Sequence, residues 1–173
     1  MSIQTIHTIS YFIIGLLLSA FLTVSANETP NDLPELDEIQ SILQADRPPT
    51  GILFTVYEYE EDALEWVIPR LSHYVDLIRR SFPALPIAVV SHGDEILTLT
   101  REQASINQDV HKKIKTLVKS QHISFHICGS YAAYNGLSEE DFPEYIDVVP
   151  FGPSQITDYE AIGYELIELG LTW

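Results

Sequence analysis

A chain of 173 residues with 25 acidic and nine basic side chains is long enough to bury one sizeable core. Its formal charge of −16 repels phosphate backbones and anionic headgroups, which argues against nucleic-acid binding and against electrostatic docking on a membrane. One cysteine, Cys128, allows no internal disulfide, so the fold must hold without covalent staples.

The chain opens with an apolar run from Tyr11 to Val24, followed by Ser25-Ala26. The run is shorter than the about 20 residues that span a bilayer, and small residues at Val24 and Ala26 suit cleavage after Ala26. Residues 1–26 are therefore expected to be a signal peptide, which makes the mature protein periplasmic or otherwise exported. Met1–Ser10 lacks the usual basic residues, and an uncleaved segment would serve as a membrane anchor. Residues 27–50 read as a polar linker with one short helix. In it Asp32 is the cap, and Leu36, Ile39, Ile42 and Leu43 share one side.

A folded domain is expected over residues 51–173. Gly51–Tyr57 is its first strand. Ala63–Arg80 has helical spacing interrupted by Pro69, which predicts a kink or two consecutive pieces. Ile87–Ser91 is an apolar run suited to a central strand, ending in His92-Gly-Asp-Glu95. Ile96–Thr100 fits either a short helix or an extended crossing. Gln103–Ser120 reads as one helix with Ile106, Val110, Ile114, Leu117 and Val118 on a stripe.

Ile123–Ile127 alternates apolar and polar residues as a strand does and runs into Cys128-Gly129. Ser130 is the expected cap of a helix over Tyr131–Tyr134, closed by Asn135-Gly136, and Gly129 is expected to supply unusual backbone angles. Ser138–Asp141 begins another turn. Ile146–Val149 is the fourth strand and Ser154–Ile162 a helix. Tyr164–Leu169 is a fifth strand or the continuation of that helix, and Gly163 favours the strand.

Strands alternating with helices predict an α/β sandwich around a largely parallel sheet. Ligand sites in such sheets lie beyond the carboxyl ends of the strands, which gathers Tyr57-Glu58, His92-Gly93, Cys128-Gly129 and Pro150-Phe151 onto one rim. Cys128 is the strong nucleophile of that rim. A thiol beside free helix amides favours the thiolate, and a thiolate attacks a disulfide or persulfide sulfur. The opposing reading is a small buried core residue. His92 either accepts a proton from the thiol or fixes the Gly93 turn.

His126 lies on the same strand face as Cys128, and Glu58 ends the first strand. With Asp94 or Glu95 these residues include metal-ligand types, but their spacing matches no metal motif, and no metal or cofactor is assigned. Paired-thiol redox chemistry, a nucleophile elbow and a phosphate loop have no residues to carry them. His73, His111 and His122 read as surface or packing residues, as do Trp66 and Trp173. Tyr131 and Tyr134 are placed to wall the thiol or to fill space between subunits.

Three stretches carry a family resemblance: Ile87-Ala-Val-Val-Ser-His-Gly93, His126-Ile-Cys-Gly129 ahead of Asn135-Gly-Leu137, and Val148-Val-Pro-Phe-Gly-Pro153 ahead of Gly163-Tyr164. In order and spacing the region from Gly51 to Leu169 resembles the DsrE/DsrF-like family of small sulfur-relay proteins. The resemblance implies a three-layer sandwich with a mainly parallel five-stranded sheet, homo-oligomers, and a cysteine at the position of Cys128 that passes a persulfide to a partner protein. It also implies a histidine-glycine turn at His92-Gly93. Relay members work in the cytoplasm, whereas this chain reads as exported. The competing expectation is a non-catalytic oligomeric binding or scaffold domain with a structural cysteine.

Overall fold

The structure, a computed structural model, describes residues 33–170. The apolar N-terminal run, the Asp32 cap and Trp173 lie outside them. Five strands, β1 (Gly51–Val56), β2 (Ile87–Ser91), β3 (Ser124–Cys128), β4 (Asp147–Val149) and β5 (Tyr164–Glu168), form one sheet in the order β4-β3-β2-β1-β5. All four pairings are parallel. Every residue of β1 and β2 is buried, as central parallel strands covered on both faces require.

Helices α1 (Pro34–Gln44), α2 (Leu64–Ser81), α3 (Gln108–Gln121) and α4 (Gly129–Tyr134) cover one face. Their apolar stripes meet Phe54, Val89, Phe125 and Ile127 in the main core. The helix expected within the linker is α1, and its Ile39 and Ile42 belong to that core. The other face is covered by α5 (Gly152–Ala161) over Leu53, Ala88 and Val90.

Several elements differ from expectation for local reasons. Pro69 leaves α2 in one piece: its ring costs the bond to the Glu65 carbonyl, and both residues are exposed to water. The run Gln103–Ser120 is two pieces, because Asn107 leaves helical angles between a 3₁₀ turn at Gln103–Ser105 and α3. Ile106 consequently projects into solvent, 75 % exposed, instead of joining the stripe. Asp94–Leu99 is a 3₁₀ turn that buries Ile96 and Leu99. Tyr164–Glu168 is a strand, separated from α5 by Gly163 at a φ of 88°.

His122 ends α3 in the left-handed region. His111 is a satisfied packing residue, its ring held between the Tyr145 hydroxyl and the Thr98 carbonyl. His73 is exposed against Tyr74, and Trp66 packs under Arg70.

Strand register sets the site. Val56 pairs with Ser91 and Ser91 with Ile127, so the next residues, Tyr57, His92 and Cys128, stand in one row across three neighbouring strands. By strand alternation all three face the α5 side. The connection after β3 leaves toward the α2–α3 face, since Ala132 of α4 joins the main core, while the connection after β4 leaves through α5 on the opposite face. Adjacent parallel strands whose connections part in this way open a crevice at their carboxyl ends. Cys128 is the last residue of β3 at that crevice.

Candidate functional site

Cys128 is 3 % exposed and forms the floor of a cavity of about 380 Å³. The walls are His92, Ser130, Tyr131, Tyr134, Phe151 and Pro153. Its sulfur has two polar neighbours. The Gly152 amide, in the first turn of α5, donates to Sγ at 3.3 Å, and the Ser130 hydroxyl lies 3.2 Å away. The helix amide aimed at the sulfur therefore comes from α5, on the neighbouring connection, rather than from α4. An amide donor at a helix start stabilises negative charge on sulfur.

Two local expectations need correction. Ser130 is not the cap of α4, because that helix starts two residues earlier, at Gly129, and Cys128 occupies the capping position with no side-chain cap bond. Ser130 is instead free to face the sulfur. Gly129 has no left-handed angle. A side chain is excluded there because a Cβ would come within 2.8 Å of the Val149 carbonyl. The β3 and β4 connections touch at this point, and Ser130 N–H donates to the Pro150 carbonyl at 3.0 Å. Gly136 does take the left-handed angle expected at the end of α4.

Gly152 is the site residue that sequence reasoning left out. A Cβ on it would lie 3.0 Å from the His92 Cβ and 3.2 Å from the Cys128 Cβ. It thus separates the two side chains and allows α5 to approach the sulfur. The Phe151-Gly-Pro153 stretch ahead of a helix was the available signal.

His92 forms no hydrogen bond with Cys128; the two share the cavity. The imidazole stacks on Tyr57 at a centroid distance of 4.8 Å and also faces a second cavity lined by Thr55, Ile156, Leu166 and Glu168. Burial pushes the imidazole below its ordinary value, with the Glu168 carboxylate pulling partly the other way. The neutral, proton-accepting form is therefore the resting one near pH 7.

The linkage has a definite sign. The unfolded chain takes a proton at about pH 6.5 while the folded protein still resists it, so stability is lost as pH falls below that value toward the folded pKa. Urea unfolding at pH 7 and pH 5 is expected to show a drop in midpoint that is smaller in His92→Gln. An equal drop in both proteins would remove His92 from the account.

The rim behind His92 is built on Glu95. This carboxylate is fully buried and accepts from the Ser91 hydroxyl at 2.6 Å, the Gly93 amide at 3.0 Å and the Glu58 amide at 2.9 Å. Burial raises its pKa, and these donors pull it back. Two backbone bonds reinforce the knot, from His92 N–H to the Val56 carbonyl and from Asp94 N–H to the Glu58 carbonyl. Gly93 is glycine for space: a Cβ would sit 2.4 Å from the Glu58 carbonyl oxygen. Glu58 is likewise buried, and its backbone ties the ends of β1 and β2 together. Asp94 accepts a hydrogen bond from Tyr131, whose hydroxyl is raised to about 12 by that bond first and by burial second.

His126 shares a strand face with Cys128 but not its cavity. Two residues along a strand is about 7 Å, and at that depth its ring is caught between Asp147 Oδ2 at 2.7 Å and the Tyr159 hydroxyl at 2.8 Å. It ties β3 to β4 and α5. Cys128, His92, Gly93 and Gly129 therefore meet at one rim, with Glu58 supporting it from the backbone and His126 set below. Among the described residues no three His, Cys, Asp or Glu side chains are grouped to hold a metal ion. Nor is any described helix long and apolar enough to cross a membrane.

With a thiol at the crevice of its parallel sheet, faced by a helix amide and a neutral histidine, this is a small parallel α/β sandwich domain with one cysteine at its strand ends. The sequence model of the DsrE/DsrF-like family matches residues 68–169, and the chain belongs to that family. Three solved structures share the fold. A protein of unknown function, MTH1491 from Methanobacterium thermoautotrophicum, is 21 % identical with a TM-score of 0.53, over 68 % of this chain and 97 % of its own. The protein of unknown function BT1422 from Bacteroides thetaiotaomicron is 14 % identical with a TM-score of 0.50, over 68 % and 94 %. The ychN protein from E. coli is 10 % identical with a TM-score of 0.52, over 69 % and 99 %. No curated protein matches the chain.

Proposed function

We propose that this protein handles sulfane sulfur on Cys128, taking it from a donor persulfide and passing it to a partner. The observation that supports the reading is the Gly152 amide on Sγ at the floor of an open cavity, in a chain of a sulfur-relay family. The thiolate attacks the outer sulfur of a hydropersulfide R–S–SH. A bond forms between Sγ and that sulfur, the donor S–S bond breaks, and R–S⁻ leaves and takes up a proton. Repeating the exchange with an acceptor thiolate returns Cys128. Neutral His92 at the cavity wall accepts the proton that the thiol must lose. On the reading of residues 1–26 as an export signal, the exchange takes place outside the cytoplasm, in a homo-oligomer.

The near-complete burial of Cys128 favours the second reading, a binding or scaffold domain with an inert cysteine. The two separate on one experiment. After incubation with the hydropersulfide of cysteamine, intact-mass measurement is expected to show one added sulfur atom in the wild type and none in Cys128→Ser. No addition to either protein, or equal addition to both, favours the inert cysteine.

A further inference from the structure

We infer that the Cys128 site selects sulfur carriers whose reacting end is uncharged or positively charged, and turns away anionic carriers such as thiosulfate, inorganic polysulfide and carboxylate-bearing persulfides. The inference rests on the sulfur-handling reading and concerns which donors and acceptors that site admits.

Three independent observations carry it. The cavity walls contain no cation: apart from His92 they are a hydroxyl, aromatic rings and a proline. An anion bringing its charge down to the sulfur would lose water and gain no counter-charge. Next, the charges around the site are negative. Asp94 is bonded to the wall residue Tyr131, and Glu168 lines the neighbouring cavity that His92 shares.

The third observation is the distribution of basic residues. No Lys or Arg follows Lys119, so β3 and α4 carry neither Lys, Arg nor carboxylate, while β4, α5 and β5 carry carboxylates with no Lys or Arg. Four of the nine basic residues are the lysines of α3, on the face opposite α5. Arg79 reaches the Leu85 and Gln121 carbonyls just ahead of β2 and β3, at the amino ends of the strands and so away from the site. Arg70, nearest the end of β5, is paired with Glu35. The rim also presents exposed aromatic rings, Tyr57, Tyr59, Tyr134 and Phe151, whose faces attract cations. An uncharged cleft surrounded by charges of one sign concentrates ligands of the other sign and depletes its own.

The test uses the full chain and three methanethiosulfonates, methyl, trimethylammonioethyl and sulfonatoethyl, as neutral, cationic and anionic probes. In each case the Cys128 thiolate attacks the sulfenyl sulfur, a mixed disulfide forms, and methanesulfinate leaves. At low ionic strength the cationic-to-anionic rate ratio is expected to exceed that of an uncharged cysteine peptide by about tenfold or more, and to shrink toward it in about 0.5 M salt. A ratio equal to that of the peptide, or an anionic probe that reacts fastest, overturns the selectivity while leaving a reactive thiol. If no probe labels the native protein, the sulfur-handling reading falls and the selectivity falls with it.

Discussion

Replacing Glu95 by glutamine is expected to lower the unfolding free energy by about 3 kcal/mol, although the two side chains have almost the same shape. The carboxylate uses both oxygens as acceptors, Oε1 for Ser91 and Gly93 and Oε2 for Glu58. A glutamine has one oxygen and one NH₂. If its oxygen keeps Ser91 and Gly93, its nitrogen meets the Glu58 amide, donor against donor. If it flips, the Gly93 amide is opposed instead. Either way a buried N–H loses its partner. Because the same knot holds His92 beside Cys128, sulfur loading is expected to fall with Cys128 intact. Urea unfolding checks the first effect and intact-mass loading the second. A variant as stable as the wild type would show that the knot does not hold the rim.

The second large effect is expected at Gly152. In Gly152→Val a Cβ lands 3.0 Å from the His92 Cβ and 3.2 Å from the Cys128 Cβ, and two further methyl groups add to that crowding. Neither neighbouring Cβ is the loose end of a side chain, so the start of α5 must shift. Overpacking of this kind costs about 1–3 kcal/mol. More telling is the chemistry: the shift withdraws the amide from Sγ and fills the space between thiol and imidazole. Cys128 alkylation in the native state is expected to slow by about tenfold, the loss of one charge-assisted hydrogen bond of about 1.5 kcal/mol. Gly152→Ala should show the same change in smaller measure. Unchanged alkylation in Gly152→Val would remove the amide from the account.

The strand pattern and the parallel sheet were legible because parallel central strands write themselves as continuous apolar runs. Gly51–Val56 and Ile87–Ser91 are buried throughout, and their ends define the row on which Tyr57, His92 and Cys128 stand. Helical periodicity was less reliable at its ends. Ile106 has the spacing of a core residue, yet the turn at Asn107 rotates it into solvent, and periodicity carries no trace of that break.

The row that holds His92 and Cys128 was legible for the same reason as the strands, whereas its support was not. Glu95 is one of 25 acidic residues, and nothing in its neighbours distinguishes a buried acceptor of three donors from a solvated charge. Gly152 and Ser130 matter through contacts between the β3 and β4 connections, which are apart in sequence and meet only because their strands are adjacent. His126 shows the opposite error. Sharing a face with Cys128 placed it correctly in direction but not in depth, and Asp147 and Tyr159 hold it there.

Cys128 is expected to work at an open crevice although it is 3 % exposed. This is tested most directly by the rate of Cys128 alkylation with iodoacetamide as urea is raised across the native baseline. A thiol reached through the cavity labels at a rate that stays flat until the global transition begins. A thiol sealed in the core labels only when the domain unfolds, so its rate climbs from the first addition of urea with the slope of global unfolding. The flat profile is the predicted result, and the climbing one would contradict a working thiol.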